Sequence, residues 1–263
     1  MRIQILTIFI MCTFVACSQN RGPGYQFDLF KNTPSWELAK AVEREDENKI
    51  IKILRKQNVD INFQEPKYGS TVLHLAIGND KLLSTKILLE NNANYNIHTL
   101  DKRTAIHEVV RDIKSMKNSY KILELLIKYG ADVNKLRVNP NNNDTLGYSV
   151  PLIDAINDFA CSKLLLDHGA EPYLKSGDTY LIWYLMLLMG DINDNIFVAK
   201  YMIVDKKMFV PNPIRYTMEN EPVDIFTQLN KLDFSKDLKR QKAKEEIIDY
   251  LRKIDFPQNG VYK

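Results

Sequence analysis

Two histidines stand in nearly the same surroundings 33 residues apart, His74 in Thr71-Val-Leu-His-Leu-Ala76 and His107 in Thr104-Ala-Ile-His-Glu-Val109. Imidazole near neutral pH suits proton transfer or zinc ligation. A metal site needs several donors around one ion, and neither His98 nor His168 lies three or four residues from another His, a Cys or a pair of acids. Cys161, flanked by Ala160 and Ser162, has no cation directly beside it to depress its pKa, so it reads as a buried, inert thiol. Acid pairs such as Asp191 with Asp194, or the run Glu43, Glu45, Asp46 and Glu47, fall where helices end and read as solvated caps. The chain contains no G-x-S-x-G elbow, no Walker loop, no G-x-G-x-x-G and no H-E-x-x-H. The sequence therefore predicts no catalytic residue, no cofactor site and no metal site.

The elements that hold these residues come from an ordinary globular composition. Of 263 residues, 45% are hydrophobic and 26% charged, which supports a packed core and excludes wholesale disorder or a disulfide-stapled miniprotein. Lys and Arg number 36 against 33 Asp and Glu, and a surplus of three gives no reason to expect nucleic acid as a partner.

The first residues differ from the rest. Met1-Arg2 is followed by an almost unbroken apolar run from Ile3 to Val15, shorter than the roughly 20 residues a membrane-spanning helix needs. Phe14-Val-Ala-Cys17 resembles the bacterial lipoprotein box, with Phe14 where leucine is usual. The resemblance implies that residues 1–16 form a signal peptide and that Cys17 is lipidated and becomes the first residue. Residues 17–33 then read as a lipidated cysteine and flexible tether, most clearly in Ser18-Gln-Asn-Arg-Gly-Pro-Gly24. Ser18 beside the lipidated residue resembles outer-membrane sorting, and the absence of an acidic cluster in the tether favours a protein facing the periplasm.

Self-comparison exposes a repeat. Asn91-Asn-Ala-Asn-Tyr-Asn96, Tyr129-Gly-Ala-Asp-Val-Asn134 and His168-Gly-Ala-Glu-Pro-Tyr173 are versions of one motif, with Gln57-Asn-Val-Asp-Ile-Asn62 a weaker fourth. Each follows a Leu- or Ile-rich helical segment. The Thr71 and Thr104 segments precede those helices, with Val150-Pro-Leu-Ile-Asp-Ala155 and Thr179-Tyr-Leu-Ile-Trp-Tyr184 as decayed copies. Together they resemble the ankyrin signature T-P-L-H-x-A at the ankyrin period. The resemblance implies an all-α ankyrin-repeat solenoid of about five repeats over residues 34–210, an N-terminal cap around Pro34, Leu38, Ala41 and Val42, and a C-terminal helical cap over 211–263. In that setting His74 and His107 are about 10 Å apart on adjacent helices and order the hairpins rather than bind metal. The cap should hold helices at Val223–Leu229 and Leu238–Lys253, the latter burying Ala243, Ile247, Ile248 and Leu251.

An ankyrin stack binds partners through fingertips that line up along its concave side. That row holds Glu65, Lys67 and Tyr68, then His98 and Leu100, then a finger from Arg137 to Ser149 with Asn142 and Tyr148, then Lys175 and Asp178. The connection from Asn134 to Val150 is 16 residues where that from Asn96 to Thr104 is 8, and loops that lengthen on one side of a repeat array mark its binding side. Tyr180–Met189 is apolar all round and should be buried under the cap, or else present Trp183, Tyr184 and Met186 as a docking surface. The Lys239–Lys244 run, followed by Glu245, Glu246 and Asp249, reads as a solvated face rather than a lipid contact. The expected function is a monomeric, non-enzymatic protein-binding module held to the bacterial envelope by lipid, with no small-molecule substrate. Similarity to small ankyrin lipoproteins implies an immunity or inhibitor protein occluding a toxic effector, with an envelope scaffold as the alternative.

Overall fold

The computed structural model describes residues 24–56, 59–138, 148–176, 179, 180, 183, 195–216 and 222–257. The expected signal peptide, Cys17, Asn142, Asp178, the Asp191 and Asp194 pair, and Tyr184 and Met186 lie outside the described residues.

Antiparallel helix pairs follow one another: α1 (Trp36–Glu43) with α2 (Glu47–Leu54), α3 (Val72–Gly78) with α4 (Leu82–Glu90), α5 (Ala105–Arg111) with α6 (Ser119–Lys128), and α7 (Pro151–Ala155) with α8 (Phe159–Asp167). α9 (Asn195–Lys200), continued by a π-type turn over Tyr201–Asp205, packs on α8 and on α11 (Leu238–Lys253), while α10 (Ile225–Asn230) closes the end with α11. First helices contact first helices and second helices contact second helices, the layering of a solenoid.

Local chemistry starts and stops several of the helices. Asp46 caps α2 by accepting from the Lys49 N–H at 3.0 Å, and Asp158 caps α8 by accepting from the Cys161 N–H at 2.8 Å. Thr71 and Thr104 begin α3 and α5 in reciprocal capping boxes with His74 and His107. At the far ends of second helices, Gly130 (φ 92°), Gly169 (φ 88°) and Asn92 (φ 65°) take the left-handed conformation that turns the chain back. The Leu-rich segments fill the space between layers: Leu88, Ile122, Leu123, Leu126 and Leu165 are fully buried.

Polar stitches tie neighbouring repeats. Asn62 Oδ1 accepts from the Asn94 N–H at 2.8 Å, Asn134 Oδ1 from the Glu171 N–H at 2.8 Å, and Asp80 Oδ1 from the Asn118 N–H at 2.9 Å. Asn62 and Asn134, each closing a hairpin motif, thus share one task toward the next repeat.

The projecting loops zip at their bases into two-residue antiparallel ribbons: β1 (Arg137–Val138) with β2 (Tyr148–Ser149), β3 (Lys175–Ser176) with β4 (Thr179–Tyr180), and β5 (Arg215–Tyr216) with β6 (Pro222–Val223). Register pairs Arg137 with Ser149 and Val138 with Tyr148, so the two ends of the lengthened loop are paired at its base. An all-α solenoid with short ribbons at the bases of three later loops is the result.

Two expectations need correction. The tether does not extend to residue 33, because Phe27 and Phe30 are buried in a 3₁₀ turn (Phe27–Phe30) against the first repeat, and Phe30 meets the Phe63 ring edge-on at 6.3 Å. The apolar stripe of α11 is narrower than its pattern: Ala243, Ile247 and Leu251 are buried, but Ile248 is only half-buried. Lys239 and Lys242 are exposed, and the Lys244 ammonium donates to the Leu232 carbonyl at 2.7 Å. Among the described residues no helix is long and apolar enough to cross a membrane.

Candidate partner-binding site

His74 and His107 are clamps. Each ring Nδ1 lies 2.9 Å from the hydroxyl of its own capping threonine and accepts the threonine backbone N–H, at 3.1 Å from Thr71 and 3.4 Å from Thr104. Burial lowers both pKa values to about 4, while backbone hydrogen bonding at Ile97 for His74 and at Lys135 for His107 pulls the other way. Both imidazoles are therefore neutral near pH 7, and each pins the start of its own helix through Nδ1.

The fingertip row forms as a set of linked loops. The Leu100 N–H donates to the Tyr68 carbonyl at 2.8 Å, Gln64 Nε2 donates to the His98 carbonyl at 2.9 Å, and Arg137 Nε donates to the Asp101 carbonyl at 3.1 Å. Three successive fingertips are thereby held in register. Leu100 is 61% exposed, Lys67 and His98 are exposed, and Tyr68 is half-buried beneath the Lys67 ammonium, 5.3 Å from its ring centre.

Glu65 is a correction to the row. It is 1% exposed, and its carboxylate accepts the backbone N–H groups of Lys67 at 2.7 Å, Tyr68 at 2.8 Å and Ser70 at 3.0 Å. Its charge is spent shaping the loop that displays Lys67 and Tyr68. The backbones of Tyr148 and Lys175 lie in the ribbons at the bases of their fingers, while their side chains, like Asn142 and Asp178, lie outside what is described.

Between the fingertips and the first helices α3 and α5 lies a cleft of about 260 Å³, lined among others by Tyr25, Tyr68, Leu100, Asp101, Arg103 and Glu108. Glu108 lies at its floor, 2% exposed, 3.0 Å from Arg103 Nε and 3.2 Å from Arg111 Nη2, and it accepts from the Tyr25 hydroxyl at 2.8 Å. Arg103 also holds Asp101 at 2.7 Å. Burial raises the Glu108 pKa to about 7 against the pull of Arg103. Sequence reasoning missed this cluster. Its one available signal was an acid inside the otherwise apolar helix Ala105-Ile-His-Glu-Val-Val110, with arginines at 103 and 111.

Other candidates resolve simply. Cys161 is fully buried, and burial with Asp158 nearby raises its thiol pKa far above the usual range. Trp183 is 0% exposed, which removes it from any docking surface. Among the described residues no group of three or more His, Cys, Asp or Glu could hold a metal ion.

Comparison with known proteins names the class that this geometry defines. Residues 38–137 match the ankyrin-repeat family in three copies. Over 135 residues, 51% of the chain, it is 31% identical to an ankyrin repeat protein of fowlpox virus (strain NVSL), covering 28% of that protein. Over 88 residues, 32% of the chain, it is 41% identical to an ankyrin repeat protein of Rickettsia felis, covering 38% of it. A human transient receptor potential cation channel, subfamily A member 1, is 25% identical over 122 residues, 46% of the chain and 10% of the channel. The chain thus spans well under half the length of these relatives, and the repeats are what it shares with them. The fold is an ankyrin-repeat solenoid, and ankyrin repeats as a class mediate contacts between proteins, typically without catalysis.

Proposed function

We propose that the chain is a protein-binding module anchored by lipid to the bacterial envelope, facing the periplasm from the outer membrane and occluding a toxic effector as an immunity or inhibitor protein. The observation that carries the binding part is the fingertip row locked in register across three repeats, displaying Leu100, Tyr68 and Lys67 beside a charged cleft. A surface already ordered in the free protein loses little conformational entropy on binding. The anchoring part rests on Phe14-Val-Ala-Cys17 and its resemblance to a lipoprotein box, and three acyl chains of the kind such proteins carry hold effectively permanently. An envelope scaffold would use the same face, and the identity of the captured protein separates the two.

Cys17→Ser tests the anchor. The variant is expected to accumulate as an unprocessed precursor without incorporated fatty acid, while the unsubstituted chain partitions into the detergent phase. An unsubstituted chain found in the soluble periplasmic fraction with an unmodified N-terminus would defeat the proposal.

A further inference from the structure

The cleft between α3 and α5 already holds a ligand of a kind, the chain's own Tyr25, met at its hydroxyl, its ring and its carbonyl. The hydroxyl donates to Glu108 Oε2 at 2.8 Å, and the ring lies 5.3 Å from the Arg111 guanidinium. The Tyr25 carbonyl accepts from Asn79 Nδ2 at 2.8 Å, a contact to backbone rather than side chain. The ring passes so close to α3 that a Cβ at Gly78 would stand 2.4 Å from two of its carbons, so the only glycine of α3 falls where the phenol needs room. The residue before it, Gly24 at φ 114°, lies against the Tyr68 ring. Phe27 and Phe30 fix the chain after Tyr25 by burial, and before it Gly24 takes a positive φ that glycine adopts without strain.

The geometry points to a tyrosine-reading site for extended peptide, self-occupied by Tyr25 in the free protein and opened when a partner presents a tyrosine of its own. This rests on the concave face being the binding face and adds what that face reads and how it is kept closed. A buried carboxylate flanked by Arg103 and Arg111 selects phenol over phenyl, because only the hydroxyl can donate to it. An aromatic side chain on an extended segment is therefore the partner chemistry, and a competing intramolecular copy lowers its apparent affinity by the fraction of time the cleft is closed.

The test uses the full chain in detergent, isotopically labelled for NMR, titrated with the peptide Gly-Pro-Gly-Tyr-Gln capped at both ends. Tyr25→Ala is expected to bind it saturably, with shifts at the amides of Gly78, Asn79, Glu108 and Arg111, and about 10-fold more tightly than the unsubstituted chain does. The same peptide with Phe in place of Tyr should bind about 10-fold more weakly, and adding Gly78→Ala to Tyr25→Ala should abolish binding with thermal stability retained. Absence of saturable binding to Tyr25→Ala, equal affinity for the two proteins, or equal affinity for the Phe peptide would each overturn the assignment. None of these outcomes depends on the natural partner. The site can fail while the fingertip row still captures a protein, and the row can fail while the peptide binds.

Discussion

Leu126→Ala is expected to destabilise the protein by about 2 to 5 kcal/mol, the range for deleting a fully buried leucine that leaves a cavity the surroundings cannot close. Leu126 lies in α6, which packs on both α4 and α5, so the vacated volume opens inside one repeat and at its junction with the preceding one. In a solenoid each repeat leans only on its neighbours, and a weakened junction also loosens the cooperativity that couples the two sides. Urea denaturation followed by circular dichroism should show an earlier, broader transition. A loss under about 0.5 kcal/mol would mean that α6 does not form the inter-repeat core.

Arg103→Ala should be comparably damaging, but only at high pH. It strips the Glu108 carboxylate of its 3.0 Å partner, leaving Arg111 and the Tyr25 hydroxyl, and removes the 2.7 Å partner of Asp101. Breaking a buried ion pair from one side typically costs about 3 to 5 kcal/mol when the remaining charge stays buried. Glu108 has an escape, since burial already raises its pKa to about 7 from an ordinary 4.5, and it can take up a proton. For an acid whose folded pKa is raised, the folded state binds more protons than the unfolded one, so stability falls as pH rises from the unfolded value through the folded one. Losing Arg103 raises the folded pKa further and carries that fall to higher pH. The histidines run in the opposite sense: with folded values near 4 against 6.5, they add stability as pH rises between those limits. Arg103 also lowers the pKa of His74, so its removal eases low-pH protonation and trims the penalty there. The expected result is a penalty of about 3 kcal/mol at pH 9 that shrinks well below that at pH 5. A penalty equal at both values would show that Glu108 is not the group left exposed.

The repeats are legible because their motif residues act locally. Thr71 and Thr104 cap a helix and receive a histidine three residues on, Gly130 and Gly169 turn the chain where a left-handed residue is needed, and the leucines between them have no other place to go. The site is less legible because it depends on direction within a loop. Glu65, Lys67 and Tyr68 share one fingertip, yet three converging backbone N–H groups draw Glu65 inward while Lys67 stays out. Sequence supplies the types of those residues but not which way each turns. Glu108 and Tyr25 meet across 83 positions, and no periodicity links them. Tyr25 also sits in a stretch whose composition reads as tether, and only the burial of Phe27 and Phe30 shows that the chain is already docked there.

The claim that the concave face is the working surface is tested most directly by placing a photo-crosslinking residue, one position at a time, in the cell of origin. Lys67, His98 and Leu100 sample the fingertips, Lys121 and Lys128 the exposed side of α6, and Lys239 the terminal cap. The account predicts one shared adduct from the three fingertip positions and none from the other three. The same adduct arising from Lys121, Lys128 or Lys239, with none from Lys67, His98 and Leu100, would contradict it.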